Sequence, residues 1–402
     1  MSTYPHKHHI SFRTAASLAL ITILGPAAID MYLAAMPQMT KDLNTDYSTM
    51  QLTLTVFLLA MGAGQLVFGP LIDAFGRRLP LILGLLIFIC SSLWASATFS
   101  MSAMLYARFL QGLSAALVLV IAMSSVRDIA EGIRATQLFA LLITIQGVAP
   151  ILAPALGGII EVHFGWRAVM LALGLIGMLA ILNSLINLPE TLHAEKRTPL
   201  SLGNVFKTYF RLLRDRSFII PALALATVFF FLFGYIGGAS YIYQVRYGLR
   251  SDIFGFVFGG TGVAMMLGAI TSSRLVKTRS AIGLALVGIA LMGAGTMLAM
   301  LAVLAEIGLV GIVAGLFVSV YGLGLAEPSL MSIAMASQTR DLGSTAALLG
   351  AGTHVIGSMA TPLAGLMATV ETTYWLFLLL VATLIAMALV TLSKFCKHKN
   401  TP

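Results

Sequence analysis

Gly25-Pro-Ala-Ala-Ile-Asp30-Met-Tyr32-Leu-Ala-Ala-Met-Pro37 places one carboxylate inside a long apolar run. An ionisable side chain at the centre of a hydrocarbon layer costs about 2.5–3.5 kcal/mol on insertion scales, so its default reading is functional. Whether this run crosses a membrane depends on its company. The chain of 402 residues is 59% hydrophobic and 10% charged, with a mean hydropathy of +0.96. That balance lies far from a soluble domain and specifies an all-α polytopic membrane protein.

A bilayer core takes about 20 apolar residues per helix. Cut at that length, the chain yields twelve spans: 14–37, 49–73, 79–99, 102–126, 135–160, 166–188, 218–243, 253–275, 280–304, 307–336, 343–369 and 373–394. The net charge of +9 sits in short loops between these runs and forms no stripe, which excludes a nucleic-acid partner. With the N-terminus in the cytoplasm, nineteen Lys and Arg fall on the cytoplasmic side and four opposite, leaving Arg108 within a span. This asymmetry sets both termini in the cytoplasm. Cys90 and Cys396 read as free thiols. The run His6-Lys-His-His9 is either a metal-binding tail or, as favoured here, a solvated cationic one, and no cofactor or metal site is expected.

The one long polar interruption, 189–217, divides the chain into an N-terminal six-helix bundle (1–188), a cytoplasmic linker and a C-terminal six-helix bundle (218–402). Pro154 and Gly157 recur as Pro362 and Gly365, each displaced by 208 residues, and the same displacement carries Gln146 onto His354. Such an echo fits two repeated halves. The amphipathic part of the linker, 206–213, suits a membrane surface.

Gly69-Pro-Leu-Ile-Asp73-Ala-Phe-Gly76-Arg77-Arg78, after the second span, resembles the signature loop of the major facilitator superfamily. Arg108-Phe-Leu-Gln111-Gly112 is similar to its fourth-span motif. Gly147-Val-Ala-Pro150-Ile-Leu-Ala-Pro154-Ala-Leu-Gly157-Gly158 is similar to the fifth-span motif of its proton-coupled antiporters. Asp30-Met-Tyr-Leu, Phe233-Gly-Tyr-Ile-Gly-Gly, Tyr247-Gly-Leu and Phe254-Gly narrow the resemblance to the bicyclomycin- and chloramphenicol-resistance branch. It departs from that branch at Ala34, at Ala239-Ser240 and at Glu327 before Pro328. The resemblance implies the major facilitator fold, twelve helices in two six-helix pseudo-repeats. It also implies a bacterial inner-membrane exporter exchanging small drugs for protons.

The residues support a proton-coupling reading of Asp30, Arg108 and Glu327. Asp30 and Arg108 both fall roughly 10 Å below the outer surface at ~1.5 Å per residue. Apolar surroundings disfavour a carboxylate's charge and a nearby guanidinium favours it, so a changing distance between them would load and release a proton. A hydrogen-bonded structural acid and a helix-packing Arg are the alternatives. Glu327 is left between a second proton site, a contact for a cationic substrate and a cap beside the Pro328 kink. Asp73, Arg77 and Asp128 are expected to cluster at the inner face, where Gly69, Gly76 and Arg78 shape a gating loop near the start of the eleventh span. A solvated positive-inside loop is the alternative.

Tyr32, Gln146, Phe229, Phe233, Tyr235, Tyr241 and His354 are the expected substrate walls. No phosphate-cradling Gly-rich Lys-Ser/Thr motif is present, so a gradient must supply the energy, and the chain is not read as an enzyme. One inward proton gains about 2.3 kcal/mol per 100 mV. The expected partners are a small-molecule substrate, protons and the lipid bilayer, and the protein is read as a monomer. Two other readings remain: an exporter of an endogenous metabolite or siderophore, and a non-transporting membrane sensor or assembly protein.

Overall fold

Hydrocarbon offers backbone groups no water, so each crossing segment must close its hydrogen bonds internally. The computed structural model describes residues 12–200, 202–338 and 340–398, and among them all regular structure is helical. The first apolar run is three helices, α1 (Phe12–Thr22), α2 (Leu24–Leu33) and α3 (Met36–Asp42). Then follow α4 (Tyr47–Phe75), α5 (Arg78–Ala97), α6 (Met101–Ile129), α7 (Gly132–Phe164) and α8 (Trp166–Asn187). The linker holds a short 3-10 turn (Ala194–Lys196) and α9 (Leu202–Arg214). Beyond it α10 (Arg216–Ser240) runs into a π-helical turn (Tyr241–Arg246), followed by α11 (Ser251–Leu275), α12 (Ala281–Leu304), α13 (Leu309–Ala336), α14 (Leu342–Val370) and α15 (Thr372–His398).

The ends of the second to twelfth runs lie within four residues of those read from the sequence. Among the described residues ten helices are long and apolar enough to cross a membrane, and α1 with α2, bent by 41°, makes an eleventh. α14 has the length, 29 residues, but Gly, Ser, Thr and His dilute its apolarity. The reason is its position, packed against both α4 and α10, where small residues permit close approach. The run His6–His9 lies outside the described residues.

Helices before the linker meet those after it along two seams, α4 with α14 and α7 with α11. In the second seam a Cβ at Gly158 would overlap the Ser251 carbonyl oxygen, and one at Gly255 that of Pro154. Only glycine lets these backbones touch. The two ends of the bundle differ. At the distal end, away from the linker, Gln51 Nε2 and Tyr47 Oη donate to the Gly237 carbonyl at 2.8 and 3.2 Å, Ser240 Oγ donates to Leu33 O at 2.8 Å, and the Thr55 and Thr361 hydroxyls lie 2.7 Å apart. The echoed prolines both abut the opposite set of helices, Pro154 at Gly255 and Pro362 through a 3.4 Å bond from Ser48. At the linker end the α7–α11 seam stops near Pro150 and Gly262; beyond it Ile133, Leu141 and Ile143 are exposed and Gly147 faces open space.

Candidate proton and substrate site

The breaks at Ile23 and after Leu33 leave α2 as a ten-residue helix carrying Asp30. Asp30 is 4% exposed, and among the described residues its carboxyl has no hydrogen-bond or ion-pair partner. Arg108, from α6, is fully buried. Its Nη1 donates to Ala28 O at 3.1 Å and to Gln111 Oε1 at 2.5 Å, and Gln111 Nε2 in turn donates to Ser92 Oγ at 2.8 Å. The guanidinium carbon lies 4.4 Å from the ring centroids of both Tyr32 and Phe57, and Nε and Nη2 have no acceptor among the described residues. Gly112 permits this, since a Cβ there would strike the Phe57 backbone.

Arg108 therefore reaches the helix that holds Asp30 without pairing with its carboxyl. Ala28 and Asp30 are two residues apart, about 200° around a helix, so they present opposite sides. The shared depth read from the sequence is present; the contact is not. Tyr32 faces the same side as Ala28. It is sealed, its hydroxyl bonded to Thr53 and lying 3.3 Å from the Met50 sulfur, and it lines no open space.

Three expected substrate residues do come together. The His354 ring lies 6.5 Å from that of Phe229 and 6.2 Å from that of Phe233, and those two phenyl rings are 6.2 Å apart. His354 Nδ1 is 2.7 Å from Gly350 O and 3.5 Å from Gln65 Nε2, which brings α4 to the same cluster. Gln65 was not singled out in the sequence. Its signal was a polar side chain at mid-span, as for Gln146. Tyr235 is instead packed away, stacked 5.2 Å from Phe258 with its hydroxyl 2.9 Å from that of Thr261. Tyr241 opens the π-helical turn and sits 5.0 Å from Tyr47 at the distal closure. The Gln146 amide nitrogen is buried without a partner among the described residues. Glu327 is half-buried in α13, also without a partner among the described residues, and is followed by an exposed Pro328.

At the linker end the expected charge cluster forms. Arg77, 5% exposed, donates from Nε to Asp128 at 2.9 Å and holds Nη1 2.8 Å from Asp73, an ion pair rather than an aligned hydrogen bond. A residue missed in the sequence completes it. Glu190 accepts the backbone N–H of Arg77 at 2.9 Å and that of Arg78 at 3.2 Å, capping the start of α5, and pairs with Arg197 at 3.8 Å. Partial burial opposes ionisation of Glu190, but these N–H donors, with that of Leu192 and the nearby charge of Arg197, hold its carboxyl below the usual range. Gly76 adopts φ +91°, and a Cβ there would press on Glu190 and Arg197. Gly69 faces open space. Asp73 makes no bond to the start of α14 in this arrangement; its backbone carbonyl takes the Thr198 N–H at 3.1 Å. Arg127 Nη1 lies 3.7 Å from where a Gly343 Cβ would stand, near the start of α14.

Two sets of spanning helices, joined by a linker and meeting along two seams beside a partnerless buried acid, define a multi-pass membrane transporter. The chain belongs to the Major Facilitator Superfamily, which it matches over residues 18–346. It is 36% identical to the MFS-type transporter YdgK of Bacillus subtilis over 87% of both chains. It is 30% identical to a bicyclomycin resistance protein homolog of Haemophilus influenzae over 65% of each, and 29% identical to a chloramphenicol resistance protein of Pseudomonas aeruginosa over 87% of this chain and 84% of that one.

Proposed function

We propose that this transporter is a proton-coupled efflux antiporter exporting small amphipathic compounds of the chloramphenicol or bicyclomycin class by alternating access. The observation that carries the reading is Asp30: a nearly buried carboxyl, in a helix broken on both sides, committed to no partner among the described residues. Such a group is free to take up a proton when cargo leaves and to give it up when cargo arrives. Arg108 acts on it through the α2 backbone, to which it is bonded at Ala28. The rings of Phe229, Phe233 and His354, with Gln65, supply stacking surface and polar atoms for an amphipathic ligand.

The Lys and Arg asymmetry supports a linker end and both termini in the cytoplasm, and the bacterial relatives support a bacterial inner membrane. The arrangement described is then closed to the outside. Units 1–188 and 218–402 rock about the linker as one monomer, and the Gly147–Gly158 segment of α7 is the bending element. On outward opening, Asp73 is free to meet the N-terminal end of α14, whose dipole attracts an acid. Drug susceptibility of a pump-deleted bacterial host tests the reading. Native protein is expected to raise resistance to at least one amphipathic drug by about tenfold, as a comparable change in export rate would give, and Asp30→Asn to abolish it. Resistance unchanged by Asp30→Asn refutes the coupling role.

A further inference from the structure

The linker helix α9 has three sectors, and the function above uses none of them. Tyr209 and Leu212 are buried, and the Tyr209 hydroxyl donates to Leu66 O of α4 at 3.0 Å. About 100° around the helix from the midpoint of that pair is the centre of a second row, Phe206, Phe210 and Leu213, exposed at 49%, 63% and 44%. Next to them come Lys207 and Arg214, both exposed, then Arg211, which pairs with Asp341 before α14. A helix in water would not leave two phenylalanines and a leucine in one uncovered row. An apolar row flanked by cations is the pattern of a helix lying in a membrane interface.

Depth supports this placement. Leu66 lies nine residues before the end of α4, about 14 Å along the axis, so α9 sits beside the bundle and not beyond it. Its own end leads directly into α10 at Arg216, and Arg211 reaches the residue preceding α14. The exposed row is thus level with the ends of two spanning helices. The nearby acids are engaged elsewhere, Asp215 with Ser217 and Gln338 and Asp341 with Arg211, which leaves Lys207 and Arg214 without an acidic partner among the described residues.

We infer that α9 is an anionic-phospholipid docking site: Phe206, Phe210 and Leu213 enter the acyl boundary of the leaflet, and Lys207 and Arg214 take the phosphate of an anionic headgroup. Because α9 is bonded to α4 on one side and to Asp341 on the other, a lipid held there bears on the element that ties the two sets of helices at the linker end. The inference does not depend on which cargo is carried.

Two measurements on the full-length protein test it. In vesicles of phosphatidylcholine mixed with phosphatidylglycerol, a spin label at Phe210→Cys, with Cys90 and Cys396 replaced by Ser, is expected to be reached by oxygen more than by a water-soluble relaxation agent. The reverse order overturns the docking. Native mass spectrometry after detergent extraction is expected to find phosphatidylglycerol retained over phosphatidylcholine. In Lys207→Gln/Arg214→Gln that preference is expected to fall by about tenfold or more, consistent with two surface cations. An undiminished preference in the double variant overturns the headgroup assignment, and neither side chain packs in the core.

Discussion

At the distal end the two sets of helices meet each other directly, through backbone contacts and side-chain bonds; at the linker end α9 joins them through long side chains. The first kind of contact, glycine against carbonyl in α7–α11 and side-chain donors on the Gly237 carbonyl, is short-ranged and is lost over a displacement of an ångström or two. The second, Arg211 with Asp341 and Tyr209 with Leu66 O, tolerates movement because the side chains are long or hang from a separate helix. The strongest charges at the linker end, Asp73, Arg77, Asp128 and Glu190, all hold the N-terminal helices and the linker together. A bundle built this way is locked on one side and tethered on the other, as a molecule resting closed to the distal side should be.

The sharpest way to break that contrast is Gly158→Val. The new side chain must displace the Ser251 backbone, so the distal ends of α7 and α11 are expected to separate. Double electron–electron resonance between labels on the two helices should show a longer distance, and transport should fall at least tenfold. An unchanged distance would mean that backbone contact does not hold this end. Next in size is Arg77→Ala, which strips Asp128, 15% exposed at its side chain, of its cation and leaves it the Thr191 hydroxyl. A loss of about 2–4 kcal/mol is expected, seen as a lower melting temperature in detergent, with the distal distance unaltered. A distal opening in this variant would erase the distinction between the two ends.

The smallest expected effect is Glu190→Gln. The folded carboxyl is held below its ordinary value of 4.5, so its contribution is fully present above that value and is lost as pH falls through the lower folded one. The variant should therefore melt earlier than the native protein at neutral pH, and the two curves should converge on acidification. A gap that widens in acid would contradict the capping role.

Span positions were legible because apolar length is a one-dimensional property, and it located the helix ends to within four residues from the second run onward. Depth was legible for the same reason, hence Arg108 level with Asp30. Rotation about the helix axis was not, and it decides whether two groups touch: Arg108 met Ala28 and left Asp30 alone. Tyr32 and Tyr235 read as polar aromatics at mid-depth, yet their hydroxyls were satisfied by Thr53 and Thr261, so both could be packed away. The break at Ile23 had no proline at that position to announce it, although Pro26 stood nearby. Glu190 followed Pro189 at the end of a span and looked like solvated linker; its role as a cap depends on the chain folding back to α5.

The central claim is that Asp30 exchanges a proton for cargo, and the most direct measurement is proton release on adding ligand to purified protein in weak buffer near neutral pH. Native protein is predicted to release protons on adding a chloramphenicol- or bicyclomycin-class compound to which it confers resistance, and Asp30→Asn to release none. Release from Asp30→Asn equal to that from the native protein would contradict the account.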